Sequence, residues 1–304
     1  MPELSYRDVV RGLALDIAWS QWAELGAGGW ARRHRMTALD LEALLIATSE
    51  LSREDARLRD ETLDWCVANY RFVSAVRLRN SLRTAAPDVQ EAFGDLSSTV
   101  KQYAHALWPG DGDVQPFAPT GRSSAPDLAR PALIQLRLRA IVGVSARAEI
   151  LRLLLAEPAG LHGTVELASA AAYGKSNAAA ALDLLAMASV VETRVSGNQF
   201  RHRLARRSQL VSLLEPLPLH FPDWAARFRI IHAVLLFADS APRAGMPRAV
   251  EARRTIRSLE PDLRRLDVGN SVRIASGKEL ANAFERWSVG VLEGWAGDEG
   301  TARA

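Results

Sequence analysis

The chain has 304 residues, 48% of them hydrophobic and 24% charged, an ordinary balance for a globular protein with a packed core in two or three domains. A formal net charge of +3 does not by itself mark a polyanion partner, although nearly all of the 38 cationic side chains are arginine, whose planar fork suits phosphates and base edges. The single cysteine, Cys66, excludes an intrachain disulfide framework and a CxxC metal centre.

The first residues lack the basic-then-apolar pattern of a secretory leader. The longest apolar run, Ile230 to Phe237, is too short to span a bilayer. The expectation is a cytoplasmic protein with no membrane partner. Residues 1–108 read as an N-terminal helical domain. Apolar residues recur at helical spacing over Tyr6 to Leu25, Leu39 to Leu51, Asp55 to Asn69, Phe72 to Leu82 and Val89 to Leu107, the last divided near Gly94. Residues 109–130, containing GDGDVQPFAPTGRSSAPD, have no helical period and read as a linker. Leu133 to Val142 reads as a basic amphipathic helix with Arg137 and Arg139, and it opens a central domain over 131–207. The remainder, 208–304, reads as a C-terminal helical domain with segments Ser208 to Leu214, Pro222 to Phe237, Met246 to Leu259, one near Leu263, and Glu279 to Trp295.

The central stretch carries the densest pattern. Ala146 to Ala156 has an apolar stripe of Ile150, Leu151 and Leu154, and Pro158-Ala159-Gly160 breaks it. A short helix, Thr164 to Ala171, follows, with Gly163 or Thr164 as N-cap and Glu166 in its first turn. Tyr173-Gly174-Lys175 reads as a turn and Ser176 as the N-cap of a helix over Asn177 to Ala188. Val190 to Val195 and Gln199 to Leu204 read as strands joined by Ser196-Gly197-Asn198. Helix, helix, turn, helix and hairpin, with Glu166-Leu167-Ala168, Tyr173, Ala181-Leu182, Leu185 and Val190-Val191 in place, resemble the winged helix-turn-helix domain of bacterial regulators of the MarR and ArsR type. The resemblance implies a mainly α protein: a central winged helix-turn-helix domain with a two-stranded β wing, flanked by N- and C-terminal helical domains.

It also implies a transcriptional regulator that binds double-stranded DNA as a homodimer. The helix from Asn177 would lie in the major groove with its first residues nearest the bases. Asn177 can read adenine, Lys175 can reach phosphate or guanine, and Ser176 lies between them. Thr164 can offer its hydroxyl and backbone N–H to a phosphate, or simply cap its helix. The wing is the stronger electrostatic signal. Arg194, Arg201, Arg203, Arg206 and Arg207 lie in a stretch without an acidic residue, with Asn198 at the hairpin tip. Alternation sets Gln199, Arg201 and Arg203 on one face and Phe200, His202 and Leu204 on the other, which is expected to pack inward.

One position departs from the pattern. Where such regulators place a long polar residue one turn into the second helix, this chain has Ala180, and Leu184 and Met187 follow where polar residues are common. The alternative reading is therefore a winged-helix subunit, scaffold-like or antitoxin-like, that docks on a protein partner without site-specific DNA reading. An enzyme is not expected. Gly174-Lys175-Ser176 lacks the upstream glycine of a phosphate-binding loop, the position being Ser169. The six histidines have no metal-ligand spacing, and His232 in its apolar helix reads as a core residue. No cofactor or metal is expected.

Overall fold

The structure, a computed structural model, describes residues 4–28, 33–157, 159–240, 245–269, 272, 277 and 279–297. Pro158 of the expected break lies outside the described residues. Among the described residues the chain forms thirteen α-helices and one small antiparallel sheet. No described helix is long and apolar enough to cross a membrane.

The first helices start where short polar side chains can take up their unpaired amides. Ser5 accepts from Asp8 N to open α1 (Tyr6–Leu25), and Asp40 from Ala43 N to open α2 (Leu41–Leu51). Asp55 does the same for α3 (Ala56–Asn69) and Ser74 for α4 (Ala75–Leu82). In α5 (Pro87–Tyr103) a proline takes the first turn, where its missing N–H costs nothing. This helix runs unbroken through Gly94, correcting the expected division. A Cβ at Gly94 would stand 2.7 Å from the carbonyl oxygen of Asp111, so the glycine makes room for a crossing chain.

That crossing chain is the stretch expected to be a linker. It has no regular secondary structure, yet it is tied down. Asp64 accepts three backbone N–H bonds from it, from Thr120 (2.6 Å), Gly121 (2.9 Å) and Ser123 (2.9 Å). Those donors hold the Asp64 carboxyl down at about 2, against the cost of burial.

The main hydrophobic core is shared between the two ends of the sequence. Helix α1 packs against α11 (Trp224–Ser240) and α13 (Glu279–Ala296), and α12 (Gly245–Arg265) packs against both α11 and α13. Trp22, Trp65, Phe93, Trp224, Phe237 and Phe284 are all fully enclosed. A second, smaller core belongs to α6 (Ile134–Val142), α7 (Ala146–Ala156), α8 (Thr164–Ala170), α9 (Lys175–Met187) and α10 (Arg207–Leu214), through Ile150, Leu154, Leu167, Leu182, Leu185 and Leu214. The sheet has the order β1-β3-β2, with β1 His162–Gly163, β2 Val191–Ser196 and β3 Gln199–Leu204. The third strand, β1, was absent from the sequence reading, because two residues carry no periodicity.

Between the two cores lies a buried ionic cluster. Arg139 is fully enclosed and donates to Glu42 (2.7 Å) and Glu149 (2.6 Å). Arg77 is paired with Asp40 (2.6 Å) and Glu42, and Arg152 with Glu149 (3.3 Å). Three cations meet three carboxylates, so the charge closes internally, as burial demands. The α6 helix is thus not basic on a solvent face as expected: Arg139 faces inward. Arg137 likewise donates to backbone carbonyls, that of Leu214 at 2.6 Å.

Candidate nucleic-acid interface

The turn between α8 and α9 is shaped by Ala172, which takes φ +55°. The amides of Ala172 and Tyr173 bond back to Ser169 and Ala168, closing α8. The turn is clasped from outside. Arg77 Nε donates to the carbonyl of Ala171 (3.1 Å) and Asn80 to that of Ala172 (2.8 Å). The Tyr173 hydroxyl meets Ser74 Oγ at 2.9 Å. The start of α9 is therefore fixed relative to α4 by polar bonds.

Helix α9 begins at Lys175, with Gly174 as its N-cap in an extended conformation. Ser176 is therefore not the cap. It sits in the first turn, because Gly174 has already left the preceding turn and its carbonyl accepts from Ala178 N. Lys175, Ser176 and Asn177 are all exposed. Ala178, Ala181, Leu182 and Leu185 hold the inner face of α9. The outer face carries Asn177, Ala180, Leu184 and Met187, with Leu184 51% and Met187 82% exposed.

The hairpin follows α9 and packs on it through β2. Gly197 takes φ +58° at the first position of the two-residue loop, where a glycine-led hairpin turn needs it, and Asn198 completes the tip. The register pairs Val191 with Leu204, Thr193 with His202 and Val195 with Phe200 on one face. His202 is buried, its ring nitrogens bonded to Thr164 Oγ1 (2.9 Å) and Thr193 Oγ1 (3.0 Å). Burial lowers its pKa, favouring the neutral ring. The Thr164 hydroxyl thus has an internal partner. Phe200 does not pack inward as expected: it is 60% exposed and its cross-strand partner Val195 is 74% exposed. The inward face ends at His202 because the hairpin outruns the helices beneath it.

The other face pairs Glu192 with Arg203, Arg194 with Arg201 and Ser196 with Gln199. Glu192, just ahead of the acid-free stretch, accepts from Arg194 Nε (2.6 Å) and Arg203 Nε (2.8 Å). These bonds hold its carboxyl below the usual range. Arg201 lies 3.8 Å from Glu166, which is also bonded to His162 Nδ1 (3.0 Å) and Gly163 N (3.2 Å). Arg206 and Arg207 are exposed. Of the expected site residues, Lys175, Ser176 and Asn177 stand exposed at the start of α9, Arg194, Arg201 and Arg203 share one face of the hairpin with Asn198 at its tip, and Thr164 is turned to His202. The partial neutralisation by Glu192 and Glu166 was missed, since both acids lie outside the arginine run.

Among the described residues, one group has the donors for a metal ion, Glu50, Asp88 and His232, far in sequence from this module. There His232 Nδ1 meets Glu50 at 2.8 Å, and hydrogen bonding to Glu50 raises its pKa despite burial. An ordinary ion pair accounts for it. No protein-family model, curated protein or solved structure matches the chain.

Proposed function

We propose that residues 131–207 act as a winged helix-turn-helix that docks on double-stranded DNA, with α9 in the major groove and the β2–β3 hairpin against the neighbouring backbone. One observation carries this reading: an uncovered α9 face beginning at Lys175, Ser176 and Asn177 stands next to a hairpin that sets Arg194 opposite Arg201. Two like charges facing each other are unfavourable in the free protein and are relieved by a phosphate. Asn177 supplies base reading, while Arg194, Arg201, Arg203 and Asn198 supply backbone contact. Two copies joined through their helical blocks would engage two half-sites, the arrangement of a homodimeric transcriptional regulator.

The test is salt-titrated binding of the full chain to duplex DNA. Affinity is expected to fall steeply with salt, and Arg201→Ala with Arg203→Ala to flatten the log–log slope by about two units. Binding indifferent to salt and to that double change refutes the reading.

The apolar outer face of α9, Ala180, Leu184 and Met187, supports a second reading, a module that docks on a protein partner. A stoichiometric partner lost on Met187→Lys, with no duplex shifted, would establish it.

A further inference from the structure

A cleft of about 750 Å³ opens between the central module and the helices around it. Its volume is that of a small-molecule site. Six arginines line it, Arg77, Arg83, Arg152, Arg227, Arg229 and Arg265, against the carboxylates Asp40, Glu157, Glu166 and Asp223. Most of these guanidinium groups have internal partners. Arg77 and Arg152 belong to the buried cluster, Arg229 forks on Asp262 (2.6 and 3.0 Å), and Arg265 lies 2.5 Å from Asp223.

Arg227 differs. It is only 7% exposed, and among the described residues it forms no ion pair and its Nε has no hydrogen-bond partner. Its guanidinium lies against the rings of Trp224 (5.0 Å) and Trp295 (5.2 Å), which hold it in place without neutralising it. Burial lowers its pKa to about 10, with Asp223 the opposing charge. A desolvated, unpaired guanidinium lining a cleft is costly unless an anion joins it.

We propose that this cleft binds a small organic phosphate, its dianionic group seated on the fork of Arg227. A dianion can be met by two cations, and a guanidinium offers paired N–H donors to two phosphate oxygens. Arg83, exposed at the end of α4 and without an ion pair among the described residues, supplies a second cation from another wall. The acids that face the ligand are occupied or peripheral. Glu166 is bonded to His162, Asp40 to Arg77, Asp223 is paired with Arg265, and Glu157 is largely in solvent. The cleft also touches Ala172, Tyr173 and Gly174, the turn ahead of α9, and Arg77 and Asn80, which clasp it. An occupant therefore bears on the placement of α9. That regulatory consequence rests on the DNA-docking reading; binding itself does not.

The experiment is calorimetric titration of the full chain with inorganic phosphate at about pH 8, above the second phosphate pKa, at fixed ionic strength and without DNA. Saturable one-to-one binding is expected. Arg227→Gln should weaken it by about tenfold or more, and Arg83→Gln by severalfold. The wing double variant Arg201→Ala with Arg203→Ala should leave it unchanged. Arg227→Gln should unfold at or above the wild-type temperature in phosphate-free buffer, because an unpaired charge is removed. If that variant does not fold, Arg227→Lys, which keeps the charge but loses the fork, carries the comparison with Arg83→Gln. No saturable binding, or phosphate affinity unchanged in the Arg227 variants, overturns the proposal. Tighter binding of succinate than of phosphate overturns the choice of a phosphate. Since no duplex is present, failure here leaves the DNA reading to its own test.

Discussion

Arg194 and Arg201 stand directly opposite each other in the β2–β3 register, with Glu192 two residues back on the same face. Glu192 holds Arg203 and reaches Arg194, so Arg201 is left with Glu166 at 3.8 Å. The hairpin carries an unfavourable pair where an opposite pair would stabilise it.

Arg194→Glu turns this pair into an attractive one. The gain against Arg201 is offset by loss of the Arg194 bond to Glu192, so thermal unfolding should stay within about a degree of wild type, while affinity for duplex DNA drops and its salt dependence weakens. Calorimetry and fluorescence anisotropy on the same sample check both. A rise in both stability and DNA affinity would contradict the assigned role of the hairpin.

The buried cluster predicts acid sensitivity. The guanidinium groups around Glu149, Arg139 foremost, outweigh burial and pull its carboxyl down to about 2, and Arg77 holds Asp40 lower still. A carboxyl depressed in the folded state stabilises the protein above its unfolded pKa, and that stability is lost as pH falls through the folded value. Stability should thus be level at neutral pH and decline from about pH 4.5 towards pH 2. Glu149→Gln should cost about 3–5 kcal/mol at neutral pH, because it leaves three buried guanidinium groups facing two carboxylates, and should make the acid decline shallower. Denaturant melts over a pH series measure both.

Ala172 pays a conformational penalty at φ +55° that glycine does not. Ala172→Gly should raise stability by about 0.5–1 kcal/mol and leave the Asn80 bond to its carbonyl intact. A loss of stability in chemical denaturation would show that the Ala172 methyl is needed for packing.

Gly94→Ala should do the opposite. A new Cβ there meets backbone, not a yielding side chain, and should cost about 1–3 kcal/mol. Hydrogen exchange should quicken around residues 109–116, where the crossing chain is displaced.

What the sequence made legible is local. The helical spacing of apolar residues announces α1 to α4, and Ser196-Gly197-Asn198 announces the hairpin. What it hid depends on distant partners. Arg139 looks like a surface cation until Glu42, 97 positions away, meets it in the interior. Gly94 looks like a break until Asp111 is seen crossing it. Phe200 falls on the inward face by alternation, but alternation does not say how far the supporting helices extend. The candidate interface was legible as a set of residues. Its clasp by Arg77, Asn80 and Ser74 and its partial neutralisation by Glu192 were not, because none of these belongs to the motif.

The three amides that Asp64 gathers midway along residues 109–130 have a mechanical consequence. They shorten the free tether to a few positions before α6, so the central module is mounted on the N-terminal helices rather than leashed to them. A force applied to α9 by whatever it grips is then carried into α3 as a load, not absorbed as slack.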